Sequence, residues 1–410
     1  MEVICPCCAG LDVHKEMVVA STRVVSEGAL HQEVRTFGTT TRELMELAEW
    51  LKERGVTHVA MEATGIFWKP VWHVLEESFT LVLANAGHIK NVPGRKTDVN
   101  DATWIADLLA HGLIRASFVP PRPVQEMRTL TRRRKQLVRE RAMHVLRIHK
   151  VLEDANVKIT SVITDILGKS GRAFLEAIIA GETDPGTLAA LANHRLRAKR
   201  DEIVEALRGR VTPHHRFLLR LHLDQIGALE KSIARVEEEL DTVLGPFRAK
   251  AELPKTMSGV SDTVAEVVVA EVGVDMTRFP TAGHLISWAG LCPRSDESAA
   301  KRRSTRLRKA TPWLKTTLVQ AAWAAARSKG TYLNAQFLRL RARRGPKKAV
   351  VAVAASMLTS AYYMLRDDRT YADLGGQHFD NLNKAKITTR LVHRLTDLGY
   401  RVDLKPAAVA

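Results

Sequence analysis

Four carboxylates carry the first chemical signal in this sequence. Asp12 stands at the tip of a short apolar segment, in Gly10-Leu11-Asp12-Val13-His14-Lys15, and Glu62 ends the run Val59-Ala60-Met61-Glu62. Asp98 and Asp101 lie three apart at the predicted start of a helix, so both project from one helix face. Flanking apolar residues bury the segment around Asp12, and an ionised acid there needs a partner. Acids gathered from two strand ends and a helix start can hold two Mg²⁺ ions. Hard cations take oxygen ligands, and a metal pair stabilises attacking and leaving oxygens at phosphorus. Taken singly, each acid also reads as ordinary structure: Asp98 as an N-cap, Asp12 as a turn acid, Glu62 as a strand-end charge.

These acids need a scaffold, and the pattern around them supplies one. Residues 11–13, 17–25 and 30–37 read as three consecutive strands with turn residues between them. Residues 40–54 carry Leu44, Leu47, Trp50 and Leu51 at helical spacing. A strand at 58–62, a helix at 66–76, a strand at 80–85 and a helix at 98–112 complete the order βββαβαβα. That order predicts an α/β layer fold with a mixed sheet covered on both faces. The Val-Pro-Pro-Arg-Pro-Val stretch at 119–124 is a stop and a domain boundary.

Beyond it the chain turns helical. Leu219, Ile226, Ile233 and Leu240 recur every seven residues, and Leu229, Val236 and Val243 follow at the same interval. This a/d seam predicts a coiled coil and, with it, self-association. From Leu253 a compact helical domain is expected, with helices near 263–272, 282–290 and 311–328. The uncharged run 349–365 falls short of the ~20 strongly apolar residues of a bilayer span and reads as a buried Ala-rich helix. A tail helix at 387–398 is stopped by Gly399.

The chain has 410 residues, enough for two to four domains, and a formal net charge of +17. The charge is local. Residues 128–150 carry nine Lys and Arg and one acid, residues 301–315 carry seven and none, and residues 339–348 six and none. These three stretches sum to +21, more than the net charge of the whole chain. Such stripes are the footprint of a phosphate backbone. Arg132, Arg133, Arg134 and Lys135, then Lys301, Arg302 and Arg303, are the candidate contacts, with Arg95 and Lys96 beside Asp98. Four cysteines argue against a disulfide scaffold and for a reducing compartment, and with the basic stripes the expected location is cytoplasmic and nucleoid-associated. The cluster Cys5, Cys7 and Cys8 lacks structural zinc spacing, and residues 1–6 are too short for a signal peptide. Trp68 and Trp72 read as core in preference to base-stacking residues.

The segments GLDVHK, MEATG and NVPGRKTDVNDATWIADLLAHGL resemble the RuvC-like DEDD domain of transposases of the insertion sequence one-ten family, related to the Piv DNA invertase. The likeness continues through SGVSDTVAEVVVAEVG, FPTAGHLISWAGLCPRSDESAAKRRS and WLKTTLVQAAWAA, and into the tail at YADLGGQHFDNLNKAKITTRLVHRLTDLGY. The resemblance implies an RNase-H-like domain over residues 1–119 and a basic helical and coiled-coil region over 120–250. It implies a small helical transposase domain over 251–365 and a tail over 366–410.

The family's four metal acids then map onto Asp12, Glu62, Asp98 and Asp101, and its nucleophilic serine onto Ser298, with Ser295 and Ser304 as alternatives. The implied activity is a Mg²⁺-dependent DNA recombinase in which Mn²⁺ can substitute. It is guided by a bridge RNA, acts on donor and target DNA through a phosphoserine, and works as a dimer or tetramer. A serine hydroxyl is a weak nucleophile until a base or metal activates it, and Lys301, Arg302 and Arg303 would offset charge developing on the phosphate. Two rival readings are a hydrolytic RuvC-like junction nuclease and a nucleic-acid-binding protein that no longer catalyses. The chain departs from the family at Ser258-Gly259-Val260-Ser261, where Pro-Gly-Ile-Gly is common, and at Ala300 and Ala310, where glycine is usual. At a positive φ each such alanine costs about 1 kcal/mol.

Overall fold

A computed structural model of the chain describes residues 3–26, 28–63, 65–89, 100–293, 296–298, 301–304, 306–307, 312–382 and 384–404. The chain divides into two compact units, Met1–Val119 and Pro120–Ala410.

In the first unit, strands β1 (Cys7–Val13), β2 (Met17–Ser26) and β3 (Ala29–Gly38) precede helix α1 (Thr41–Glu53). Strand β4 (His58–Glu62), helix α2 (Trp68–Leu75), strand β5 (Thr80–Ala84) and helices α3 (Ala86–Ile89) and α4 (Asp101–Ala110) follow. The five strands form one sheet in the order β3-β2-β1-β4-β5. β1, β2 and β3 pair antiparallel, whereas β4 lies parallel to β1 and β5 parallel to β4. The expected order is present, with α3 as an added turn.

Strand alternation sends the two sheet faces to different helices. Leu11, Val13, Val59 and Met61 pack with Leu44, Leu47 and Leu51 of α1 and with Val71 and Leu75 of α2. Trp68 and Trp72 sit partly buried against this cluster, edge to face at 5.8 Å, as expected for core residues. On the other face Cys8, Ala60 and Ala84 pack against Ile105, Leu108 and Leu109 of α4. Cys8 donates a hydrogen bond to the Ala106 carbonyl at 3.5 Å, and burial pushes its thiol up to about 12.

The second unit is built on two long helices, α5 (Arg122–Asp154) and, after α6 (Lys169–Ala180), α7 (Pro185–Ala190) and α8 (Arg200–Leu207), α9 (Pro213–Leu244). At 33 and 32 residues each spans roughly 50 Å. They run antiparallel: Val124 and Met127 meet Leu240 and Leu244 at one end, and Ile148 and Leu152 meet Leu219 and Ile226 at the other. The seven-residue seam is therefore closed by the chain's own α5. Self-association does not follow from it. The partner helix was hidden in the sequence because α5 spaces its apolar positions widely among basic residues.

The remainder comprises α10 (Arg248–Lys255), α11 (Asp262–Val272), α12 (Ala282–Trp288), strands β6 (Asp296–Ser298) and β7 (Lys301–Ser304), and α13 (Pro312–Ala325). It continues with α14 (Tyr332–Arg344), α15 (Pro346–Asp367), α16 (His378–Leu382) and α17 (Lys384–Asp397). The β6–β7 pair corrects the expectation of a purely helical C-terminal region. α15 is long and apolar enough to cross a membrane, yet 56% of its apolar window is buried inside the protein. Val353, Ala354, Met357 and Leu358 are among its buried residues, which fits the expected core helix.

Candidate active site

Asp12 and Glu62 owe their proximity to strand register. Leu11 pairs with Met61 across the parallel β1–β4 ladder, so the next residues, Asp12 one short of the end of β1 and Glu62 at the end of β4, lie on neighbouring strands about 4.8 Å apart. Both share the parity of Gly10 and Ala60, which face α4. Neither acid is fully buried. His14 Nε2 lies 3.1 Å from Asp12 Oδ2, giving the aspartate a nearby partner.

α4 is pressed onto this face by Gly10. A Cβ there would lie 2.2 Å from the Ala102 carbonyl oxygen and 2.4 Å from the Ala106 nitrogen, so only glycine admits the helix backbone. Cys8 opposes Ala106 and Gly10 opposes Ala102, so α4 runs against β1 and its N-terminus lies at the end carrying Asp12. Two further ties lock the helix. Thr103 donates to Ser21 Oγ at 3.1 Å, and the largely buried Arg23 pairs with Asp107 at 2.9 Å.

Asn100, and not Asp98, is the N-cap: its side chain accepts from the Ala102 N–H at 2.9 Å. The helix thus starts three residues later than expected, with Asp101 in its first turn, where the helix dipole favours an acid. Asp98, Arg95 and Lys96 lie outside the described residues. Gly10, Ser21, Arg23, Thr103 and Asp107 were missed as positioning residues. Gly10 lay one residue ahead of the predicted strand 11–13, so the sign that a strand glycine gives of close backbone approach went unread.

Asp12, Glu62 and Asp101 therefore belong to one end of one sheet face. Among the described residues, no three His, Cys, Asp or Glu side chains stand close enough to hold a metal ion. The donor chemistry, carboxylate oxygen throughout, fits a hard cation such as Mg²⁺.

Ser298 lies in the second unit as the last residue of β6. It pairs antiparallel with Lys301, Glu297 pairs with Arg302, and Asp296 with Ser304, with an irregularity between Asp296 and Glu297. Ser298 ends β6 and pairs with Lys301, the first residue of β7. A bridge between Pro293 and Leu307 extends the base of the hairpin. Lys301, Arg302 and Arg303 follow on β7. Ser295, Ala300 and Ala310 lie outside the described residues, and Ser304 ends β7.

The basic stripe of α5 has an internal role. Glu271 of α11 is fully buried, and Arg132 grips it with two hydrogen bonds of 2.7 and 2.8 Å. Arg128 donates to the Glu271 carbonyl oxygen at 2.6 Å, and burial holds its guanidinium down to about 10. Arg134 stands 2.7 Å from Glu266. Lys135 donates to the hydroxyls of Thr316 and Thr317 on α13, and burial and Arg139 lower its pKa. Arg132, Lys135 and Arg139 also surround the Trp313 ring at 5.7–5.9 Å. These contacts hold α11 and α13 to α5, and α13 follows the serine hairpin in the chain. Of the four candidate contacts on α5, Arg133 is the one left exposed.

The Ser258-Gly259-Val260-Ser261 turn joins α10 to α11. Gly259 has φ +84°, and a Cβ on it would lie 2.5 Å from the Ala325 nitrogen of α13. Ser261 is the N-cap residue of α11 at φ −92°, so serine carries no backbone strain there.

Two family models match the chain. One, a transposase model of the DEDD IS110 type, matches residues 9–157 and so takes in all four acids. The other, described as the transposase IS116/IS110/IS902 family, matches residues 251–337, which include Ser298. None of the curated proteins matches the chain.

Proposed function

The chain belongs to the IS110 family of transposases, and on that premise we propose that it cuts and rejoins DNA through Ser298, guided by RNA, on a RuvC-like carboxylate site. The supporting observation is the placement of Asp12, Glu62 and the start of α4, which carries Asp101, at one end of the same sheet face, by strand register and by the close approach at Gly10. Asp12, Glu62, Asp98 and Asp101 would together hold Mg²⁺ as an all-oxygen set, and bound metal would supply charge stabilisation at the phosphate.

In the first step Ser298 Oγ attacks phosphorus, an O–P bond forms to the 5′-phosphate, and the bond to the 3′-oxygen breaks. The serine proton is lost to a base, and the released 3′-oxygen is protonated. A second 3′-hydroxyl then attacks the phosphoserine and frees the serine, so the number of phosphodiesters is conserved and no ATP is needed. Lys301, Arg302 and Arg303 would meet the charge on the phosphate. Donor and target DNA are chosen by base pairing to a guide RNA, and the working assembly is a dimer or tetramer.

The test is a joining assay with element-end DNA, target DNA, the flanking transcript and Mg²⁺. Recombinant product that disappears without RNA, and with Asp12→Ala, supports the reading. Product that forms equally without the transcript removes the guide RNA from it. Hydrolysed strands with free 5′-phosphates and no joined product would make the chain a junction nuclease.

A further inference from the structure

The cleft between α14 and the tail helices has a composition that the carboxylate and serine chemistry leaves unused. Its volume is about 650 Å³. Arg339 and Arg343 line it from α14, and Lys386 and Arg390 from α17, each pair four residues apart and so on one helix face. Asp380 is the single acid in the lining. Among the described residues, none of the four cations is ion-paired with a carboxylate. Two cationic helix faces therefore line one cleft with cations in excess over its acid, which is an arrangement that an incoming phosphate stabilises.

The floor is apolar. Leu338, Ile387 and Phe379 line the same cleft, and Leu338 is 43% exposed. The Phe379 ring is fixed by Tyr332, stacked at 5.0 Å, and by the Arg339 guanidinium at 5.1 Å. α17 buries no residue of its own, so the cleft wall can adjust to an occupant. An apolar floor with a cationic rim suits a nucleotide, whose base has a face to bury and whose phosphate is charged. A cleft of this size matches a ligand of one or two nucleotides. Paired and stacked bases offer no free face, so the fit is to an unpaired strand.

We propose that this cleft binds one or two unpaired nucleotides of a nucleic-acid strand, with phosphates on Arg343, Lys386 and Arg390 and a base against Leu338 and Ile387. The proposal rests on the transposase reading only for the class of ligand.

The test uses the full chain and fluorescein-labelled dT12, U12 and a blunt DNA hairpin, read by anisotropy across a salt series. Arg343→Gln/Arg390→Gln is compared with Arg343→Lys/Arg390→Lys, and melting curves check that both remain folded. The glutamine pair is expected to weaken single-strand binding about tenfold and to lower the salt slope by about 1.4, at roughly 0.7 for each phosphate no longer neutralised. Hairpin binding should change less than twofold, and the lysine pair should keep most of the affinity. Weakening on U12 alone assigns the cleft to RNA, and weakening on dT12 alone to DNA; either supports the proposal. Unchanged single-strand affinity and slope overturn it, as does an equal weakening on the hairpin, which would mark a general basic surface. These probes contain no element ends, so the result is independent of strand cutting. Wild type that binds them without cutting element-end DNA would fail the proposed function and leave the cleft standing.

Discussion

A methyl group at Gly10 collides with the backbone of α4 at Ala102 and Ala106, and neither atom can move without the helix. Gly10→Ala is therefore expected to cost about 1–3 kcal/mol through overpacking. By shifting Asp101 about 1 Å from Asp12 it should also slow strand cutting about 100-fold. Thermal melts and a cleavage time course check both effects; full activity with an unchanged melt would show that α4 does not need this contact. Cys8 offers a second residue-scale check. Its thiol, pushed up to about 12 from 9.0, stays protonated in the folded chain where an unfolded one has ionised. Stability of this unit is accordingly expected to fall as pH rises above 9.0, because the unfolded chain then releases a proton that the folded chain retains. Iodoacetamide at about pH 8.5, near the ordinary thiol pKa, should leave Cys8 unmodified until denaturant is added, as read by peptide mass spectrometry.

At the scale of elements, the α5–α11 joint and the α5–α9 pair make different demands. Removing Glu271 leaves Arg132 without its carboxylate and takes away the carboxylate 3.6 Å from Arg128, and breaking a buried pair costs about 3–5 kcal/mol. Glu271→Ala should melt the second unit early, which calorimetry can read. Ile226, fully buried in the seam, should cost about 2–5 kcal/mol when cut to alanine. Because the seam is closed within the chain, Ile226→Ala should leave the sedimentation coefficient of the folded protein unchanged. A shift to a smaller species would restore an intermolecular coiled coil.

The same elements show what sequence pattern could reveal. The strands and helices of the first unit were legible because apolar runs and helical spacing report burial directly, as at Val59-Ala60-Met61 and at Leu44, Leu47 and Leu51. The β6–β7 hairpin was not, since Asp296-Glu297-Ser298 and Lys301-Arg302-Arg303-Ser304 contain no apolar residue to alternate. Asp12, Glu62 and Asp101 were readable as strand-end and helix-start acids. What sets α4 against the strands that carry the other two acids, the close β1–α4 approach and the Arg23–Asp107 tie, depends on pairs 84 to 98 residues apart that no local pattern records.

At the scale of the whole molecule, the acids and Ser298 belong to different compact units, and the proposed chemistry requires both at one phosphate. We expect each working site to combine the acids of one protomer with Ser298 of another. Mixing Asp12→Ala with Ser298→Ala chains under conditions that exchange subunits should then recover part of the wild-type activity, up to about a quarter for random pairing into dimers with one intact site in two. No recovery, with exchange demonstrated by tagged chains, would place both parts of the site in one protomer.

The most direct measurement is trapping of the covalent intermediate on element-end DNA with the flanking transcript and Mg²⁺, followed by a denaturing gel and mass spectrometry of the adduct peptide. The account predicts a protein–DNA adduct mapped to Ser298 in wild type and none in Ser298→Ala or Asp12→Ala. Strand cutting that leaves free 5′-phosphates, forms no adduct and survives Ser298→Ala would contradict it.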